Sequence, residues 1–147
     1  MTAEMEKVNA TMDLTTFYLG DACFGVDILL VQEINKLIKA TRVPLAPIYV
    51  IGILNLRGQI ITVIDVAVRL GLFAEPETGR QKNIIVRFQN ESIGLLVDRI
   101  GDVIHFTSEM IEKSPGNIGG DQGKFIEGIV KCENHLIRIL NLDELLG

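Results

Sequence analysis

Apolar and polar positions alternate through much of this chain with the period of two that marks strands buried on one face. Thr15–Leu19 and Phe24–Ile28 are two such runs, joined at Gly20-Asp21, and they predict a hairpin. Ile84–Phe88 and Ser92–Val97 predict a second hairpin around Asn90-Glu91. Gly52–Leu56 with Ile60–Ile64 gives a third, and Gly128–Cys132 with Leu136–Leu140 a fourth. Gly and Asn at the tips suit tight turns, because they accept positive φ. Asn35–Val43 and Ile100–Phe106 predict further strands. The spacing of Ile28, Val31 and Ile34 predicts one helical turn after the second strand, with Ile28 and Ile34 facing inward. Asp65 and Asn141 are good N-caps and predict short helices after them. Ala74–Gln81, with Pro76 and Gly79 among polar residues, reads as a linker.

These elements repeat. With Gly52 placed over Gly128, Ile53-Leu54 meets Ile129-Val130, and Ile60–Ile64 meets Leu136–Leu140. Asp65 then meets Asn141, and Arg57-Gly58 meets Glu133-Asn134. An earlier match sets Leu19 on Phe88, Gly25 on Gly94, and Ile28, Val31 and Ile34 on Val97, Ile100 and Val103. The register changes between the two matches, so the second half carries an insertion, placed at Ser114–Lys124. Two matches in the same order point to an internal duplication. Each half offers about five short strands, enough to close a small β-barrel and remove exposed edges. The fold class expected is all-β with a few short helices. Its subdomains are 14–80 and 81–147, and exchange of terminal strands between them is left open.

Composition narrows the functional classes. The chain has 147 residues, 48% hydrophobic but only 5% aromatic, so its core is aliphatic. The net charge is −5, with no basic run, which argues against nucleic acid and anionic membranes. Met1–Asp13 is polar and lacks the apolar segment of a secretory signal. The longest apolar tract, Val43–Leu56, is broken by Pro44, Pro47, Gly52 and Asn55, so no membrane helix is expected. These features suit a cytoplasmic protein. Cys23 and Cys132 form no CxxC, and His105 and His135 have no ligand-like spacing, so no metal or cofactor is expected.

No catalytic motif stands out. Gly116–Gly120 is glycine-rich but lacks the Lys-Ser/Thr of a phosphate loop. Asp27 and Asp98 fall near strand ends, and Asp65 matches an Asn, which favours capping over acid-base chemistry. A binding module is therefore the better default. Arg57 is the residue that stands out. It sits at a hairpin tip beside Leu54, Leu56 and Ile60, and Arg beside an aliphatic rim is a frequent interface anchor. Its repeat counterpart is Glu133, so the turn itself does not require Arg. Val31 is equally consistent with a core position or with the border of a groove between the two barrels, and Glu33 must point away from the core stripe.

Several runs carry a family resemblance. They are Tyr18–Asp21 through Gly25–Ile28, Val31-Gln32-Glu33-Ile34, Thr41–Pro47, Gly52–Gly58 and the strand end Ile64-Asp65. Together they resemble the CheW-type coupling proteins of bacterial chemotaxis, from about Leu14 to the C-terminal residue. Asn55-Leu56-Arg57-Gly58 is the most specific element. The resemblance implies two SH3-like five-stranded barrels and a non-catalytic scaffold that joins chemoreceptor tips to the histidine kinase CheA. It implies a kinase-binding set of Leu54, Asn55, Leu56, Arg57 and Gly58, facing the regulatory domain of CheA. The receptor-binding set it implies is Val31, Glu33, Val97 and Ile100, facing methyl-accepting chemoreceptors. A second kinase contact falls loosely near Pro115–Ile118. An adaptor in another kinase pathway, or a small ligand-binding barrel, is the alternative.

Overall fold

The structure is a computed structural model that describes residues 11–36, 40–72, 81–112, 120–132 and 135–147. The expected linker over 74–80, most of the insertion with Pro115–Ile118, and the Glu133-Asn134 tip lie outside the described residues. In chain order the strands are β1 (Thr11–Leu19), β2 (Ala22–Asp27), β3 (Val31–Lys36), β4 (Val50–Leu56), β5 (Gln59–Asp65), β6 (Lys82–Phe88), β7 (Glu91–Val97), β8 (Arg99–Thr107), β9 (Ile111–Glu112), β10 (Ile126–Cys132) and β11 (His135–Leu140). Two short helices, α1 (Val66–Arg69) and α2 (Leu142–Leu146), follow β5 and β11. Their N-caps are the predicted ones. Asp65 accepts from the Val68 N–H at 3.2 Å, and Asn141 accepts from the Glu144 N–H at 3.3 Å. Among the described residues no helix is long and apolar enough to cross a membrane.

The strands form two sheets. Sheet A runs β8-β1-β2-β11-β10-β9 and sheet B runs β3-β6-β7-β5-β4. Replacing each strand of sheet B by its repeat counterpart gives the order of sheet A, apart from the extra β9. The parallel pairs obey the same rule. Gly25 lies opposite Ile139 in sheet A, and Gly94 lies opposite Val63 in sheet B. Neither sheet is contiguous in sequence: β1 and β2 pair with elements of the second half, while β6 and β7 join β3–β5. The sheets therefore cut across the 80/81 boundary read from the sequence.

Both sheets are rolled. Strands β8 and β9 occupy opposite edges of sheet A, yet only the 3-10 turn Ser108–Met110 separates them. Laid flat, those edges would lie about 24 Å apart, five strand spacings. Four residue steps span at most about 14 Å, so the edges must approach each other. Sheet B does the same more sparingly. Beyond the end of β3, Thr41 exchanges backbone hydrogen bonds of 2.7 and 2.8 Å with Ile53 on the outer edge of β4. The corresponding bond partners in sheet A are Glu112 and Ile129.

Three apolar clusters result. One lies inside the roll of sheet A and contains Leu14, Phe106, Val130, Ile137 and Ile139. A second lies inside sheet B and contains Leu54, Ile61, Val63, Ile85 and Leu96. The largest joins the outer faces of both sheets, with Phe17, Phe24, Ile84, Val86, Leu95 and Val97 packed around Leu142 and Leu145 of α2.

Several local expectations are corrected. The turn after β2 is a three-residue 3-10 turn, Ile28–Leu30, and Val31 already begins β3. Asp27 ends the strand by accepting the Leu29 N–H at 3.0 Å, which favours the tighter turn. Ile34 therefore obeys strand alternation rather than helical spacing and is 41% exposed. Of the strand expected over Asn35–Val43, Asn35 and Lys36 belong to β3 and Thr41 forms a bridge to Ile53, while residues 37–39 lie outside the described residues. The second hairpin turns at Gln89-Asn90, one residue earlier than expected, with Phe88 paired to Glu91.

Candidate functional site

The β4–β5 hairpin closes with Leu56 paired to Gln59, leaving Arg57-Gly58 as a two-residue loop. Arg57 has φ 51° and Gly58 φ 84°. Positive φ at both central positions is the type I′ pattern, whose twist matches that of the flanking strands. The Asn55 carboxamide oxygen accepts the Gly58 N–H at 3.0 Å and holds the turn. Leu54 is buried in the sheet B interior, Leu56 packs at its rim, and Ile60 is 63% exposed. Within the expected kinase-binding set, then, Arg57, Gly58 and Asn55 are at the surface, Leu56 is half-buried and Leu54 supports them from below.

Glu33 joins this turn from the other edge of the rolled sheet. Its carboxylate forms an ion pair with the Arg57 guanidinium and accepts a 2.9 Å hydrogen bond from the Asn35 carboxamide. The Arg57 side chain is 70% exposed and that of Glu33 30%. A bulge between Val31 and Glu33 lets these two residues face different ways. Val31 turns to the core between the sheets, while Glu33 turns to the face of Ile85. The structure thus unites Arg57 and Glu33, which the sequence placed in separate sets.

The rest of the receptor-binding set divides. Val31 and its counterpart Ile100 are partly buried at the margin of the inter-sheet core. Val97 is corrected: its side chain is wholly buried, so it supports a surface but cannot form one. The exposed counterpart residues on β3 and β8 are Ile34 and Val103, at 41% and 45%. Sequence reasoning missed Ile34 as a surface residue because it assigned Ile28–Ile34 helical periodicity, and Val103 followed as the repeat counterpart of Ile34. It also missed Leu45 and Ile48, which are nearly fully exposed between Pro44 and Tyr49. The two prolines flanking Leu45 were the available signal for an extruded apolar loop.

An open groove runs beside the turn, lined by Gln59, Ile60, Thr62, Arg87 and Asn90. The roll of sheet A contains a cavity of about 50 Å³ lined in part by Tyr18, Cys23 and Cys132, far below the size of ordinary ligand pockets. Burial pushes the Cys23 thiol up, so it is a poor nucleophile. Among the described residues no three His, Cys, Asp or Glu side chains are grouped to hold a metal.

Comparison with known proteins follows the same lines. A family model for the CheW-like domain matches residues 13–147. A probable chemotaxis protein CheW of Rhizobium etli is 34% identical over 92% of this chain and 87% of its own. The chemotaxis protein CheW of Bacillus subtilis is 33% identical over 99% of this chain and 92% of its own. The crystal structure of the scaffolding protein TtCheW from Thermoanaerobacter tengcongensis superposes with a TM-score of 0.85, at 33% identity and 92% coverage of both chains. With a mostly β fold, a duplicated strand order and these matches across nearly its whole length, the chain belongs to the CheW-like domain family.

Proposed function

We propose that this protein is a non-catalytic chemotaxis scaffold, working in the cytoplasm, whose Arg57 turn docks the regulatory domain of the histidine kinase CheA. The observation that carries the docking role is the guanidinium itself. It is held on a locked turn, largely exposed, above an apolar support and beside an open groove. Such an Arg loses little side-chain freedom on binding, because Glu33 already orients it. Val31, Glu33 and Ile100 form the chemoreceptor-facing margin, with Val97 beneath them. The rolled sheets with matching strand orders support a reading as two SH3-like barrels produced by duplication. Each barrel is a composite of both halves, after an exchange of the β1–β2 and β6–β7 hairpins.

The test is a binding titration with the kinase regulatory domain. Arg57→Ala and Arg57→Glu are expected to fold normally and to weaken binding by about 1–2 kcal/mol or more, roughly tenfold, as an interface anchor should. Unchanged affinity in both variants would remove Arg57 from the interface. Co-sedimentation of the complete chain with receptor tips and kinase tests the scaffold role as a whole. Kinase activation that proceeds equally without this chain would refute it.

A further inference from the structure

Asn83 on β6 is wholly buried, and neither its Nδ2 nor its Oδ1 has a hydrogen-bond partner among the described residues. It lies in the roll of sheet B, opposite Leu96 and close to Ile85. Its carboxamide rests on Gly94, where a Cβ would come within 2.3 Å of Oδ1. The absence of a side chain there makes room for the amide. An orphaned carboxamide in an apolar interior is a costly arrangement and calls for a partner.

The neighbour on β3 indicates what that partner is. Asn83 is paired directly with Asn35. Residues opposed in this way carry their Cβ atoms about 4.5–5.5 Å apart on one face, a gap that one water can bridge. Asn35 in turn donates to Glu33, which holds Arg57. Sheet A supplies an internal control. The counterparts of Asn83 and Asn35 are Leu14 and Ile104, and both pack in the apolar interior of sheet A. There Leu14 rests on Gly25 as Asn83 rests on Gly94. The counterpart of Arg57 is Glu133. The acid recurs, since Glu33 has Asp102 as its counterpart, but the paired carboxamides occur only in the sheet whose turn carries the arginine.

We propose that Asn83 binds a buried water that bridges it to Asn35, extending the Arg57–Glu33–Asn35 series into the core of sheet B. The water satisfies the amide and fixes Asn35, and through it Glu33, from the interior side. Its presence does not depend on which partner Arg57 docks, so failure of the kinase assignment leaves it untouched.

A high-resolution crystal structure of the unmodified chain should show an ordered water within hydrogen-bond distance of both carboxamides. An Asn83 bonded only to protein groups, or left dry, overturns the proposal. In solution, oxygen-17 relaxation dispersion counts long-lived internal waters. Asn83→Leu, which copies the sheet A residue, should lose one such water and show an equal or higher Tm. Asn83→Ser, which keeps a hydroxyl, should retain the water. An unchanged water count in Asn83→Leu overturns the proposal. If that variant does not fold, the crystal structure of the unmodified chain decides alone.

Discussion

Arg57 pays for its position in backbone strain, since a residue with a Cβ disfavours φ 51° by about 1 kcal/mol. Glycine would fit that turn better, as it does next door at Gly58. Arg57→Gly should therefore raise stability toward urea by about 0.5–1 kcal/mol, even after loss of a partly exposed ion pair. The same change should weaken kinase binding as much as Arg57→Ala does. A variant that gains stability and keeps its affinity would show that the guanidinium is dispensable. Glu127 offers a second residue-scale test. Glu127 is exposed along β10, yet partial desolvation of its carboxyl against the strand raises its pKa above the usual value, with Asp143 and then Asp27 adding to the effect. For an acid this means that the folded state favours the proton more than the unfolded state does. The ionised group costs stability above the folded pKa, and that cost disappears as pH falls through the folded pKa toward the unfolded one. Glu127→Gln should accordingly be more stable than the parent at neutral pH and indistinguishable from it near pH ~3, in urea titrations run at both values. An advantage that persisted undiminished in acid would contradict this origin.

At the scale of elements, the hairpins were legible because their signal is local. Alternating strands and Gly or Asn tips announce themselves within a few residues, as do the caps Asp65 and Asn141. The misassigned stretch was Ile28–Ile34. Its apolar spacing fits one helical turn, but the Asp27 cap and the bulge before Glu33 produce a 3-10 turn and a strand instead. The cap is local, but the bulge depends on pairing with β6, which local periodicity does not reveal. Rolling also relies on close contacts that sequence hides. A Cβ on Gly52 would meet the Thr41 carbonyl oxygen at 2.3 Å, which is backbone and cannot move aside. At the counterpart Gly128, the nearest atom is the Ile111 side chain at 2.6 Å, which can rotate. Gly52→Ala should therefore cost at least about 2–3 kcal/mol and clearly more than Gly128→Ala, measured by chemical denaturation. Equal losses would mean that the Thr41 bridge is not what constrains sheet B.

The whole molecule shows where sequence reasoning had to stop. The repeat was visible in matched positions, but matching alone does not say which hairpin pairs with which. Which hairpin lies in which sheet is set by the parallel pairings of β2 with β11 and β5 with β7, contacts between residues far apart in the chain. The same long range explains why Glu33 and Arg57 looked like members of two sites. They lie on the facing edges of one rolled sheet, and rolling is a tertiary event. Interleaving also makes each half depend on the other. Sheet A needs β1 and β2 from the first half, and the inter-sheet core draws Phe17 and Phe24 together with Leu142 and Leu145. A fragment of residues 81–147 would keep β10 and β11 but lose the β2 edge on which β11 lies. It would expose that whole apolar face, so it should remain unfolded alone by circular dichroism and amide dispersion. The complete chain should unfold in one transition, with far-ultraviolet circular dichroism and near-ultraviolet signals coincident. Mixing fragments 1–80 and 81–147 should restore structure, because each supplies strands the other lacks. Independent folding of residues 81–147 would mean that the second half completes its own sheet and that the exchanged hairpins are not required.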